Sequence, residues 1–131
     1  MKYWMIILSM AAGLGCAKPR EVLKVYHYPM AAETLTGLTA EKIVRSGEAC
    51  VLSSEEDVKA MRDVIASARP TTELFGEKFV RIRVDSSSSG KMALVAVIDT
   101  AGCVRGSSGP VRRLTPDQID ALLRLIGSRC Q

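Results

Sequence analysis

KFVRIRVDSSSSGKMALVAVID, residues Lys78 to Asp99, holds two strand signatures on either side of a serine-rich break. Val80, Ile82 and Val84 alternate with Phe79, Arg81 and Arg83, the two-residue period of a strand buried on one face. Asp85 to Gly90 has the composition of a turn or linker and interrupts that period. Met92 to Ile98 then runs apolar without a break. It is too short for an ordinary helix and rich in Val, so it reads as a central strand. Together the two predict an antiparallel hairpin whose connection is the serine run.

Such a hairpin needs a cover, and the flanking sequence supplies two amphipathic helices. Ser53-Ser54-Glu55-Glu56-Asp57 spells two overlapping capping boxes, with carboxylates where a helix start favours negative charge. Val58, Met61, Ile65 and Ala68 follow at helical spacing until Arg69-Pro70 stops them. Thr115-Pro116-Asp117-Gln118 is another capping box, with proline at the first helical position. Ile119, Leu122, Leu123 and Ile126 form its apolar face. Further strands are expected at Glu21–Tyr28, at Glu48–Leu52 and at Cys103–Leu114, the last interrupted by Gly106 to Pro110. Thr39–Arg45 predicts one or two helical turns, and Thr71–Gly76 a loop. The order predicts an α+β domain, a two-layer sandwich of an antiparallel sheet with two main helices on one face. The other face is expected to be open to solvent or a partner.

The chain has 131 residues and a formal net charge of +4. That is the length of one domain, and so mild a charge is no nucleic-acid footprint. Met1-Lys2 is a short positive start, Tyr3–Met10 is apolar, and Ala11 to Gly15 carry the small residues of a processing site. The apolar run is too short to span a bilayer permanently. Leu14-Gly15-Cys16 resembles the lipobox of bacterial lipoproteins, although Gly13 stands where that class usually has Leu. The resemblance covers the leader alone. It implies cleavage before Cys16, a lipid on Cys16, and a domain held to a membrane of the cell envelope, facing the periplasm or the exterior. Ordinary cleavage after Gly15-Cys16-Ala17 is the alternative, and it implies a soluble periplasmic or secreted protein. The chain therefore divides into a leader over 1–15 (1–17 on the alternative), a tether over 16–20 and a single domain over 21–131.

Export changes the reading of the cysteines. Cys50, Cys103 and Cys130 remain, an odd number in a compartment that permits disulfides, and no Cys-x-x-Cys pair exists for redox or zinc chemistry. Cys103 opens a strand and Cys130 closes the helix expected to run back antiparallel to it. The expected bridge is Cys103–Cys130, which leaves Cys50 a buried thiol; Cys50–Cys103 is the second pairing.

Candidate chemistry is sparse. The single histidine, His27, lies on the apolar parity of its strand, where a lone imidazole more often packs than catalyses. Ser53, Ser54 and Thr115 are explained as helix caps. No catalytic residue, metal or cofactor is expected. Binding is better represented, because Lys24, Tyr26 and Tyr28 share one strand parity and Arg81 and Arg83 share another. Arg105, Arg112 and Arg113 follow on the next strand. Arg and Tyr are the side chains that anchor interfaces. On an open sheet face they would form one patch for a protein partner or an anionic envelope component, not for nucleic acid. The expected function is a non-catalytic binding or accessory lipoprotein. The alternative is an inhibitor or immunity-type protein against an exported enzyme, with Ser86–Gly90 as the inserting loop.

Overall fold

A computed structural model describes residues 20–32 and 36–130. The expected leader, the lipidation site Cys16 and most of the 16–20 tether lie outside the described residues. In chain order the elements are β1 (Val22–His27), α1 (Ile43–Ser46), β2 (Glu48–Leu52), α2 (Glu55–Ala66) and β3 (Arg69–Pro70), then β4 (Val80–Ser88), β5 (Lys91–Asp99), β6 (Cys103–Arg105), β7 (Arg112–Arg113) and α3 (Pro116–Arg129). The strands form one seven-stranded sheet in the order β2-β1-β4-β5-β6-β7-β3, with antiparallel neighbours throughout. The fold is the α+β sandwich that the sequence predicts.

The hairpin of β4 and β5 is longer than the alternation of Val80 to Val84 implies. Ser87 pairs with Met92 and Ser88 with Lys91, so the serines continue the strand. The connection shrinks to Ser89 and Gly90, with φ of 52° and 77°. Two central residues in the left-handed region match the right-handed twist of a tight hairpin. A serine run is thus neither a loop nor a linker here, because the strand ladder satisfies its backbone.

Both long helices cross the sheet from edge to edge. Ser54 Oγ accepts from the Asp57 N–H at 3.1 Å and starts α2 beside β2. The helix ends just before β3, at the opposite edge. Thr115 and Gln118 form a reciprocal capping box with Pro116 in the first turn, and α3 makes the return journey. Its 14 residues give about 21 Å of helix, close to the roughly 24 Å that separates β7 from β2 across five strand spacings. The two helices lie antiparallel. Gln118 Nε2 donates to the Ser67 carbonyl at 3.3 Å at one end, and Arg129 Nε to Asp57 Oδ1 at 3.1 Å at the other.

This crossing decides the disulfide. Cys130, at the end of α3, arrives over the β2 edge and is bonded to Cys50, with Cα atoms 5.3 Å apart. The expected Cys103–Cys130 bridge is not formed, nor is Cys50–Cys103, and Cys103 is a buried free thiol. The expectation assumed that the helix runs back along β6. It traverses the strands instead, which carries Cys130 away from Cys103.

The main core lies between helices and sheet, where Val58, Met61, Ile65, Leu122 and Ile126 pack on Leu23, Val25, Ile82, Val84, Ala96, Ile98 and Val104. The other face is not bare, contrary to expectation. Leu38, Ala40 and Ile43 pack there against Tyr26, Val80 and Val97, with Phe75 and Tyr28 at the margin. Among the described residues that face is open near the hairpin turn, where Val51 and Met92 are exposed. The chain enters β1 at this same end, since Val22 pairs with Ser87. The segment 71–79 leads into β4 at the opposite end.

Candidate partner-binding surface

The eight residues expected to form one basic and aromatic patch fall into two groups. Lys24, Tyr26, Tyr28, Arg81 and Arg83 lie on the side of the sheet that carries the second apolar cluster, and α1 and the loop before it cover Tyr26, Arg81 and Arg83. Tyr26 is buried, with the Lys24 ammonium 5.4 Å from its ring centroid. Arg81 is only 3% exposed. Its guanidinium donates to the carbonyls of Val80 and Ala32 at 3.0 and 2.8 Å and lies 5.8 Å from the Tyr28 ring centroid. Its Nε is buried without a hydrogen-bond partner. Arg83 donates to the Ala40 carbonyl at 2.7 Å and to Asp85 Oδ1 at 3.1 Å. Both arginines therefore fasten the covering loop to the sheet. The alternation of β4 correctly puts them opposite the helices, but nothing in that period reveals what lies above them.

Arg105, Arg112 and Arg113 lie on β6 and β7; Arg105 and Arg113 brace a different feature, the loop from Thr71 to Phe79, whereas Arg112 turns to the helix side. Asp99, at the end of β5 and 3% exposed, organises its base. Asp99 Oδ1 accepts from the Ala101 and Cys103 N–H groups, each at 2.9 Å, while Oδ2 accepts from the Gly76 N–H at 2.9 Å. The Glu73 N–H donates to Thr71 Oγ1 at 3.2 Å, and the Phe79 N–H to the Gly76 carbonyl at 2.9 Å. Arg113 forms an ion pair with Glu73, and Arg105 with Glu77. The Arg105 guanidinium also sits 4.7 Å from the centroid of the Phe75 ring. Between these fixed points Leu74 is 91% exposed, and Phe79 at the loop's end is 56% exposed. The sequence predicts a loop over Thr71–Gly76 and puts Phe79 in the strand that follows, whereas β4 begins at Val80. The loop's signal was the pairing of Glu73 and Glu77 around an apolar Leu-Phe dipeptide, which has meaning only once two arginines are known to face it.

The neighbouring edge is strongly basic. β3 pairs with β7 so that Arg69 stands directly opposite Arg113, and Pro70 opposite Arg112. Arg112 donates weakly to the Ala66 carbonyl at 3.4 Å. Glu73 is the one carboxylate among the described residues paired with any of these three arginines.

The Cys103 thiol is pushed up to about 11, first by burial and then by the negative charges of Asp99 and Glu73. A thiol held protonated in this way is a poor nucleophile. His27 lines an open hollow of about 430 Å³ with Tyr28, Met30, Glu48 and Leu123, and its Nε2 stands 3.8 Å from Glu48 Oε2. Among the described residues no group of three or more His, Cys, Asp or Glu side chains could hold a metal ion. No helix among them is long and apolar enough to cross a membrane. No protein-family model matches the chain, and no curated protein or solved structure matches it.

Proposed function

We propose that the chain is an exported, lipid-anchored accessory protein of the cell envelope whose domain binds a protein partner and performs no chemistry on it. The observation that carries this reading is where the reactive side chains are spent. The free thiol is buried and held protonated. Asp99 is saturated by three backbone N–H groups, and the arginines of β4, β6 and β7 are engaged within the molecule. Arginines so engaged favour a protein partner over a diffuse anionic surface. The Cys50–Cys130 bridge suits an oxidising compartment outside the cytoplasm, and the lipobox-like Leu14-Gly15-Cys16 supplies the anchor.

Intact mass of the exported protein tests the reading. A mature chain that begins at Cys16 and carries acyl mass supports it, as does its loss from the membrane fraction in Cys16→Ala. A mature chain that lacks Cys16 overturns the anchor. After alkylation under denaturing conditions without reduction, Cys103 is the expected labelled thiol of the domain, with Cys50 and Cys130 labelled only after reduction.

The inhibitor or immunity-type reading draws on a different element from the one expected. Ser86 to Ser88 belong to β4 and leave only a two-residue turn, whereas the braced 71–79 loop has the rigidity of an inserting element. Blocked activity of a bound enzyme partner, as opposed to mere association, separates the two readings.

A further inference from the structure

We propose that the 71–79 loop is the recognition element, with Leu74 as an anchor that enters an apolar pocket flanked by carboxylates on the partner protein. The proposal rests on the binding reading above and names its site.

A single exposed leucine is ordinary on a protein surface. What sets Leu74 apart is the fixity of everything around it. Glu73 is held by Arg113 and Thr71, Phe75 by Arg105, Gly76 by Asp99, and Glu77 by Arg105. At the far end of the loop, the Lys78 carbonyl accepts from the Leu38 N–H at 2.8 Å and the Val80 N–H donates to the Leu38 carbonyl at 2.9 Å. Each neighbour of Leu74 is tied down, yet its own side chain is 91% exposed and touches little of the fold. An element ordered before binding loses little conformational entropy when it docks. Phe79, at the end of the same loop, is a second exposed apolar side chain.

The charge beside the loop specifies the partner's rim. Like charges directly opposite on paired strands destabilise a sheet, and Arg69 faces Arg113 in this way. Charge on an edge strand also discourages edge-to-edge aggregation, but one charged residue serves that purpose, and here two arginines meet on one face of an edge of two-residue strands, while Arg112 turns to the helix side. Glu73 answers only Arg113. Carboxylates on a partner complete the pairing, raise the encounter rate and orient the approach of Leu74.

The test uses the full chain in its native cells, with a photo-crosslinking amino acid placed at Leu74 and, in separate variants, at Val51 and Leu123. The protein captured from position 74 is purified and its binding measured directly. The expected result is binding that falls roughly tenfold to a hundredfold in Leu74→Asp, with an unchanged thermal transition because the side chain is exposed. Arg69→Glu is expected to slow association and flatten its salt dependence. Crosslinks from Val51 or Leu123 with none from Leu74, or equal affinity of Leu74→Asp, overturn the loop assignment and leave the binding reading standing. No crosslink from any position overturns both.

Discussion

Asp99 Oδ2 accepts a hydrogen bond from the Gly76 N–H at 2.9 Å, across 23 positions of sequence. The other oxygen of the same carboxylate takes two more N–H groups from the β5–β6 turn. One buried side chain thus fixes a turn and a surface loop together. Removing it leaves three backbone donors without their acceptor. Asp99→Ala is expected to cost about 3 kcal/mol, with Asp99→Asn intermediate because one carbonyl oxygen survives. Urea unfolding measures both, and a loss below about 1 kcal/mol for the alanine variant contradicts the assignment.

Arg81 and Arg83 are structural fasteners. Glutamate at Arg81 sets a buried carboxylate against carbonyl oxygens, and at Arg83 a partly buried one against a carbonyl oxygen and Asp85. Each change is expected to cost roughly 3 kcal/mol or more. Arg81→Met behaves differently, since it removes a buried charge with an unpartnered Nε. It is expected to change stability by about 1 kcal/mol or less, in either direction. Thermal melts of the three variants separate this account from one in which the arginines serve an external ligand, where all three melt like the parent.

Cys103 gives a pH signature. Its folded value of about 11 lies above the usual thiol value of 9.0, so the folded chain holds the proton more tightly than the unfolded one. Its contribution is therefore fully present below pH 9.0 and is lost as the pH rises towards about 11. The difference in stability between the parent and Cys103→Ala is expected to shrink across that window, measured by denaturant titration at a series of pH values. Alkylation of native Cys103 at pH 8 is expected to be much slower than in the unfolded chain.

Glu21 ties the start of β1 to α2. Arg62 donates to both of its oxygens at 2.5 Å, and Ser86 Oγ to one of them at 2.7 Å. The hydrogen bonds from Arg62 lower its pKa below the ordinary glutamate value. The contribution is present above pH 4.5 and fades as the pH falls through the depressed folded value. Because the pair is partly exposed, Glu21→Gln is expected to cost only about 0.5–1 kcal/mol at neutral pH. The gap between variant and parent is expected to narrow as the pH falls below 4.5, and a gap that does not change with pH in acid removes the ion pair as its cause.

The legible parts of the fold were those set by local chemistry. The caps at Ser54 and Thr115 are readable because a capping box is a four-residue event, and the faces of β1 and of β4 from Ile82 onward because alternation is local too. Val80 is the exception: the alternation groups it with Ile82 and Val84, but an irregularity between Val80 and Ile82 turns it to the opposite face, against Tyr26 and Val97. The cover over Arg81 was not. It is built from Leu38, Ala40 and Ile43, too few and too irregularly spaced to show a period. The β3–β7 pairing involves two residues on each strand and has no period at all. The cysteine pairing depended on the direction of α3 across the sheet, a matter of strand order that no stretch of sequence encodes by itself. The same holds for the surface at Leu74, whose braces come from β5, β6 and β7, far along the chain.

Val22 enters the sheet beside the hairpin turn, whereas the 71–79 loop meets Val80 at the other end of the same long strand. β4 has nine residues, so these ends stand about 30 Å apart. A molecule moored by its amino terminus would hold Leu74 outermost, like a lamp on a short post, with the whole depth of the sheet as the spacer.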